Sequence, residues 1–154
     1  IKSQRPDFSA LIGWEELLCT AMFMGADGGT LSTSGVVPEV IMKIYNDAVA
    51  GNWESAKQAQ FKLLDLFSLM VNAPNFPEGF RAGYELRGFN IGRARFPLSP
   101  GELDLMDDIR GRIACVLTEC GFSEAASQCK CPSADTNLGR VEVEAIVRDV
   151  MRKL

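Results

Sequence analysis

The chain has 154 residues, 47% hydrophobic and 23% charged, a balance that supports a packed core and not a disordered tract. Its net charge of −4 disfavours a nucleic-acid or anionic-membrane surface, and its apolar runs fall short of the roughly 20 residues that a membrane helix needs. It has no histidine, which excludes a serine–histidine triad, a cysteine–histidine dyad and histidine-ligated metal within these residues; acid–base chemistry would fall to carboxylates, tyrosine, lysine, cysteine or hydroxyls.

Phe8 to Ile12 reads as a first strand, short and without strict alternation, as expected of a strand covered on both faces. Trp14 to Met24 reads as a helix whose apolar face is Leu17, Leu18, Ala21 and Met22. Glu15 and Glu16 fall in its first turn, where negative charge suits the helix dipole, and Gly25 fits the residue just past its end. A second strand is expected over Gly28 to Thr33. Strand, helix, turn and strand in so few residues predict a parallel βαβ unit. Polar groups gather where each strand ends: Glu15 and Glu16 after the first, Ser32, Thr33 and Ser34 at the second. In α/β folds the carboxyl ends of strands carry the chemistry.

Pro38 fits the first turn of a helix running to about Ala50, striped by Val40 or Ile41, Ile44, Tyr45, Ala48 and Val49 and ended by Gly51. Asn52 is the expected cap of a long helix from Trp53, with Ala56, Ala59, Leu63, Leu66, Phe67 and Met70 at steps of three and four. Pro74 and Pro77 break it, and a shorter helix is expected from Glu78 to Arg87, stopped by Gly88. Ser99-Pro100-Gly101-Glu102 has the make-up of a capping box. The helix it opens presents Leu103, Met106, Ile109, Ile113, Val116 or Leu117, and Cys120, and Gly121 ends it. Phe122 to Arg140 reads as a loop, and Val141 to Leu154 as a final helix. The composition changes near Gly51, giving an α/β piece (1–50) and a helical piece (51–154). Two strands do not make a self-sufficient sheet, so the first piece calls for a partner from further chain or another molecule.

Four stretches, in order, resemble the C-terminal half of the dihydrodipicolinate synthase and N-acetylneuraminate lyase family. Ile12-Gly13-Trp14-Glu15-Glu16 is similar to the lyase branch's Asn-Gly-Tyr-Asp-Glu, and Gly25-Ala26-Asp27-Gly28-Gly29 to its Gly-Ala-Asp-Gly-Gly. Ser32-Thr33 matches its Ser-Thr pair, and Arg95-Phe96-Pro97-Leu98-Ser99-Pro100 resembles the family's Arg-x-Pro-Leu-x-Pro. The resemblance implies strands seven and eight of a (β/α)8 TIM barrel followed by a helical extension, in a class I aldolase or lyase that uses or yields pyruvate. It implies a Schiff-base lysine on strand six, upstream of Ile1, so that no catalytic residue is expected here; Lys2 stands too close to Gly13 for that part. It further implies a homotetramer, no metal, no cofactor, and either a 2-keto-3-deoxy sugar acid or a sialic-acid-like substrate. Dihydrodipicolinate synthase chemistry and a family dehydratase are the alternatives within the family, and a non-catalytic helical interaction module is the alternative outside it.

Carried over position by position, the resemblance makes Gly13, Glu15, Glu16, Thr30 and Ser32 substrate-binding, with Thr30 acting through its carbonyl. Carboxylates accept several hydrogen bonds from a diol, and serine donates or accepts. The plainer readings are that the glutamates are first-turn residues and that Gly13 is a turn glycine. Leu31 stands where the lyase branch has glycine, and Gly35 where it has asparagine. Five cysteines, an odd number, point to a reducing cytoplasm and not to a disulfide scaffold. Cys129 and Cys131 alone lack the four ligands of structural zinc, and Cys19, Cys115 and Cys120 read as small buried hydrophobes on helices.

Overall fold

The computed structural model describes residues 2–92 and 94–130. The expected final helix, Val141 to Leu154, and Cys131 lie outside the described residues. Strand β1 is Leu11–Ile12 and β2 is Gly28–Gly29, paired in parallel with Leu11 opposite Gly28 and Ile12 opposite Gly29. Between them Glu15–Leu17 forms a 3-10 turn that runs into helix α1, Leu18–Phe23. The βαβ unit predicted from the residue pattern is therefore present. Gly25 ends α1 with a φ of 92°, a conformation that glycine adopts without strain.

The second strand is much shorter than Gly28 to Thr33. Ser32–Gly35 is a 3-10 helix instead. Its first two amides point to the Glu15 carboxylate and not to a neighbouring strand, and Val36 and Val37 both donate back to the Thr33 carbonyl. Local β propensity at Leu31 to Thr33 loses to this side-chain partner from the other strand end.

Helix α2 spans Pro38–Val49, α3 Trp53–Val71, α4 Glu78–Leu86 and α5 Pro100–Glu119. Helix α3 is central and packs on α2, α4 and α5. Ala56, Ala59, Leu63, Leu66 and Met70 are all buried on it, as their spacing predicts, and the last four share one core with Ile44 of α2 and Ile113 and Leu117 of α5. Four expectations fail at helix edges, the first at Leu17, read on the apolar face of the first helix but 47% exposed. Asn52 precedes α3 but makes no side-chain cap bond. Leu103 and Val49 face solvent, the first in the opening turn of α5 and the second at the end of α2. The Ser99–Glu102 capping box is complete, with Glu102 accepting from the Ser99 amide at 2.7 Å.

Glycines let α4 come close. A Cβ on Gly79 would lie 2.2 Å from the Met70 carbonyl oxygen, and one on Gly83 would lie 2.9 Å from a Val36 methyl. Ser123–Gln128, expected as loop, is a further 3-10 helix laid back along α5. Cys115 is joined to Cys129 by a disulfide, which corrects its reading as a buried hydrophobe. Its partner lies fourteen residues on in sequence, so helical position alone did not reveal it. Cys19 and Cys120 are free thiols, half-buried. No described helix is long and apolar enough to cross a membrane.

Candidate functional site at the carboxyl ends of the strands

Two carboxylates close the βαβ unit, one at each end. At the amino end, Asp27 accepts the Ala10 amide at 2.7 Å and both its oxygens accept from Lys2 Nζ at 3.0 Å. The Ala10 amide, and secondly the Lys2 ammonium, hold the Asp27 carboxyl below the usual carboxylate range. Lys2 also donates to the carbonyls of Pro6 and Phe8. Its nitrogen is thus engaged in structure, at the end of the strands away from the candidate site.

At the carboxyl end, Glu15 leaves the first strand and turns inward, only 4% exposed. Its Oε1 accepts from the Ser32 amide at 2.6 Å, from the Thr33 amide at 3.1 Å and from the Ser32 hydroxyl. One carboxylate oxygen therefore ties the exits of both strands together. Such charge-assisted bonds are the strong ones, and the amides they satisfy would otherwise be orphaned. The bridge also fixes the Ser32–Gly35 turn and so the place of Ser32, which stays exposed.

Gln60 holds the same turn from below. It is buried on α3, accepts the Cys19 amide at 3.0 Å and donates to the Glu15 carbonyl at 2.9 Å. No motif reading singles it out. The available signal is a polar residue four places after Ala56 and three before Leu63, on a stripe that is otherwise apolar.

The remaining candidates sit around this bridge in chain order. Gly13 and Thr30 directly follow β1 and β2; both are exposed, and a Cβ on Gly13 would lie 3.9 Å from the Thr30 carbonyl oxygen. Gly13 therefore stands beside the carbonyl that the resemblance singles out. Glu16 is half-buried, and its Oε2 is shielded from solvent without a hydrogen-bond partner among the described residues. The Thr33 hydroxyl is fully buried and likewise unpaired there. Trp14 is 61% exposed beside them. The structure thus joins Glu15 directly to Ser32, and leaves Glu16 as a carboxylate with an uncommitted acceptor.

Gly35 has a structural reason to lack a side chain. A Cβ there would lie 1.7 Å from the Tyr84 hydroxyl oxygen of α4. The asparagine usual in the lyase branch is accommodated here only if Tyr84 moves.

A short parallel βαβ unit with a carboxylate bridge at its strand exits, backed by a helical layer, defines this as a β/α fold. The profile of the dihydrodipicolinate synthetase family matches residues 1–114, and the chain belongs to that family. It is 29% identical over 110 residues to an uncharacterized DapA-like lyase from Thermofilum pendens, covering 71% of this chain and 36% of that protein. It is 32% identical over 121 residues to a 4-hydroxy-tetrahydrodipicolinate synthase from Synechococcus elongatus, covering 78% and 39%. Among solved structures it is similar to a 2-keto-3-deoxygluconate aldolase variant from Sulfolobus solfataricus, with a TM-score of 0.64, 22% identity, and coverage of 79% of this chain and 42% of the other. It is also similar to dihydrodipicolinate synthase from Bacteroides thetaiotaomicron, with a TM-score of 0.60, 24% identity and coverage of 77% and 40%. The fold is that of these TIM-barrel-related aldolases, helix-dominated over the described residues. The chain spans less than half the length of these relatives.

Proposed function

We propose that these residues form the closing part of a class I keto-acid aldolase or lyase, with β1 and β2 as the seventh and eighth strands of its barrel. The lysine that forms the Schiff base with pyruvate stands outside this chain. The observation that carries the reading is the shared strand exit. Glu15 bridges to Ser32 and Thr33 there, and the adjoining Glu16 Oε2 has no donor among the described residues. A shielded carboxylate oxygen without a partner is costly unless a ligand supplies the donor, and a substrate hydroxyl would do so.

The roles divide accordingly. Glu15 is a positioning residue: its Oε1 is spent on the Ser32 turn. Glu16, the Ser32 hydroxyl and the Thr30 carbonyl face the substrate, and Gly13 leaves the backbone open beside them. This set favours a polyhydroxy keto acid, either a 2-keto-3-deoxy sugar acid or a sialic-acid-like compound. The Synechococcus relative favours a second reading, pyruvate condensation with aspartate semialdehyde. The whole enzyme works as a homotetramer in the cytoplasm and needs no metal.

Borohydride trapping with pyruvate tests the lysine assignment. The 154-residue chain alone gives no adduct, and a barrel completed with a strand-six lysine gives one. An adduct on Lys2 or Lys43 of the chain alone refutes the assignment. Pyruvate release from 2-keto-3-deoxygluconate by the completed barrel, lost in Glu16→Gln, separates the first substrate reading from the second.

A further inference from the structure

The Cys115–Cys129 bond ties the end of a short returning segment to α5. Residues 122–126 stay on α5 by packing: Ala125 is fully buried, the Arg87 guanidinium lies 3.7 Å over the Phe122 ring, and Arg87 also reaches Glu124. Beyond them Cys129 packs partly against the hydrophobic core, and the polar contacts lie at the surface. Lys130 donates one backbone bond, at 3.2 Å, to the Gly111 carbonyl, and its ammonium pairs with Asp107 where both side chains are largely exposed. Gln128 accepts from Arg110 at 3.2 Å, also exposed. Exposed ion pairs of this kind add little.

Neither cysteine is fully enclosed by the fold. Both residues are half-buried, and Cys115 lines an open groove between α3 and α5 together with Asp65, Ser68, Leu69, Arg112 and Glu119. Arg112 stands one helical turn before Cys115, where a cation favours the thiolate that must leave during exchange. The glycine at 111 completes the arrangement. A Cβ there would lie 2.5 Å from Lys130 Cβ, so the returning chain can lie flat on α5 only because Gly111 has no side chain.

We propose that Cys115–Cys129 is a thiol–disulfide exchange site, a redox latch that pins the chain at Cys129–Lys130 to α5 and opens to a dithiol reductant. One reductant thiolate attacks a protein sulfur, the S–S bond breaks and a mixed disulfide forms. The protein sulfur not attacked leaves as a thiolate, and the second reductant thiolate then attacks the reductant sulfur of the mixed disulfide and displaces the attacked protein sulfur. Two electrons and two protons pass to Cys115 and Cys129, and the reductant leaves as its own disulfide. The opened latch frees residues 127–130 from α5 while 122–126 stay packed.

The test is amide hydrogen exchange on the full chain, with peptide mapping of the Cys115–Cys129 cross-link, before and after dithiothreitol under native conditions. The cross-link is expected to disappear without denaturant. Exchange at Cys129 and Lys130 should rise about tenfold or more, with α5 and residues 122–126 unchanged. Cys129→Ser should show the fast exchange from the start and no response to reductant. A cross-link that resists dithiothreitol until the protein is unfolded overturns the proposal. So does a reduced chain in which Cys129 and Lys130 remain as protected as before.

Discussion

Removing the Glu15 carboxylate should cost more than any other single deletion at the strand exits. In Glu15→Ala the Thr33 amide, on a residue with no solvent exposure, loses its acceptor, and so do the Ser32 amide and hydroxyl. A hydrogen bond to a charged partner is worth about 1.5–3 kcal/mol, and an unsatisfied buried donor about 1–3 kcal/mol. Ser32 is exposed, so water recovers much of its share, and the loss falls mainly on Thr33 and on the opened turn. The expected destabilisation is about 2–4 kcal/mol. Glu15→Gln keeps an acceptor oxygen for the two amides and gives up only the charge, so about 1 kcal/mol is expected. Urea unfolding followed by circular dichroism reads both, and tryptophan fluorescence at Trp14 reports the strand exits. If Glu15→Ala costs under about 1 kcal/mol, or no more than Glu15→Gln, the bridge does not organise this end of the unit.

Gly79→Ala places a Cβ 2.2 Å from a backbone oxygen of α3; overpacking should outweigh the gain of about 1 kcal/mol in helix propensity and leave the chain about 1–2 kcal/mol less stable. Gly101→Ala, with nothing within 4 Å of its Cβ, should instead stabilise slightly, and a pair of thermal melts separates the two. Arg87→Lys loses the paired bonds to Glu39 and the stacking over Phe122; since Glu39 is largely exposed, about 1 kcal/mol is expected, most of it from the ring contact. The Asp27 carboxyl is held low by the Ala10 amide, and that of Glu39 by Arg87. A folded-state pKa below the unfolded one gives stability that is present above the unfolded carboxylate range and is lost as pH falls through the folded value. Urea midpoints should therefore drop on acidification below the usual carboxylate range, and Asp27→Asn with Glu39→Gln should flatten that drop; an unchanged slope refutes the assignment.

The local features were legible because local energetics decides them. The Ser99–Glu102 box, the Pro38 start of α2 and the α3 stripe from Ala56 to Met70 each depend on neighbours within a turn or two. The parallel pairing of β1 and β2 was also legible, since a short helix between two strands leaves few alternatives. The second strand was overextended because propensity at Leu31 to Thr33 cannot register a carboxylate arriving from residue 15. Candidate residues were legible as types at a strand exit. Which of them is committed to structure and which keeps a free acceptor was not.

The amino-acid order alone determined the main helices, most of their apolar faces and the motifs that mark the family, because helix periodicity, capping and turn chemistry are short-range. Only the tertiary structure decided that Glu15 is buried under Ser32, that Gln60 reaches back to the Glu15 carbonyl, that Gly79 lies against Met70, and that Cys115 is bonded to Cys129. Strand pairing brings Glu15 to Ser32, packing on α3 places Gln60 and Gly79, and the chain turning back on α5 brings Cys129 to Cys115; no local preference encodes any of these.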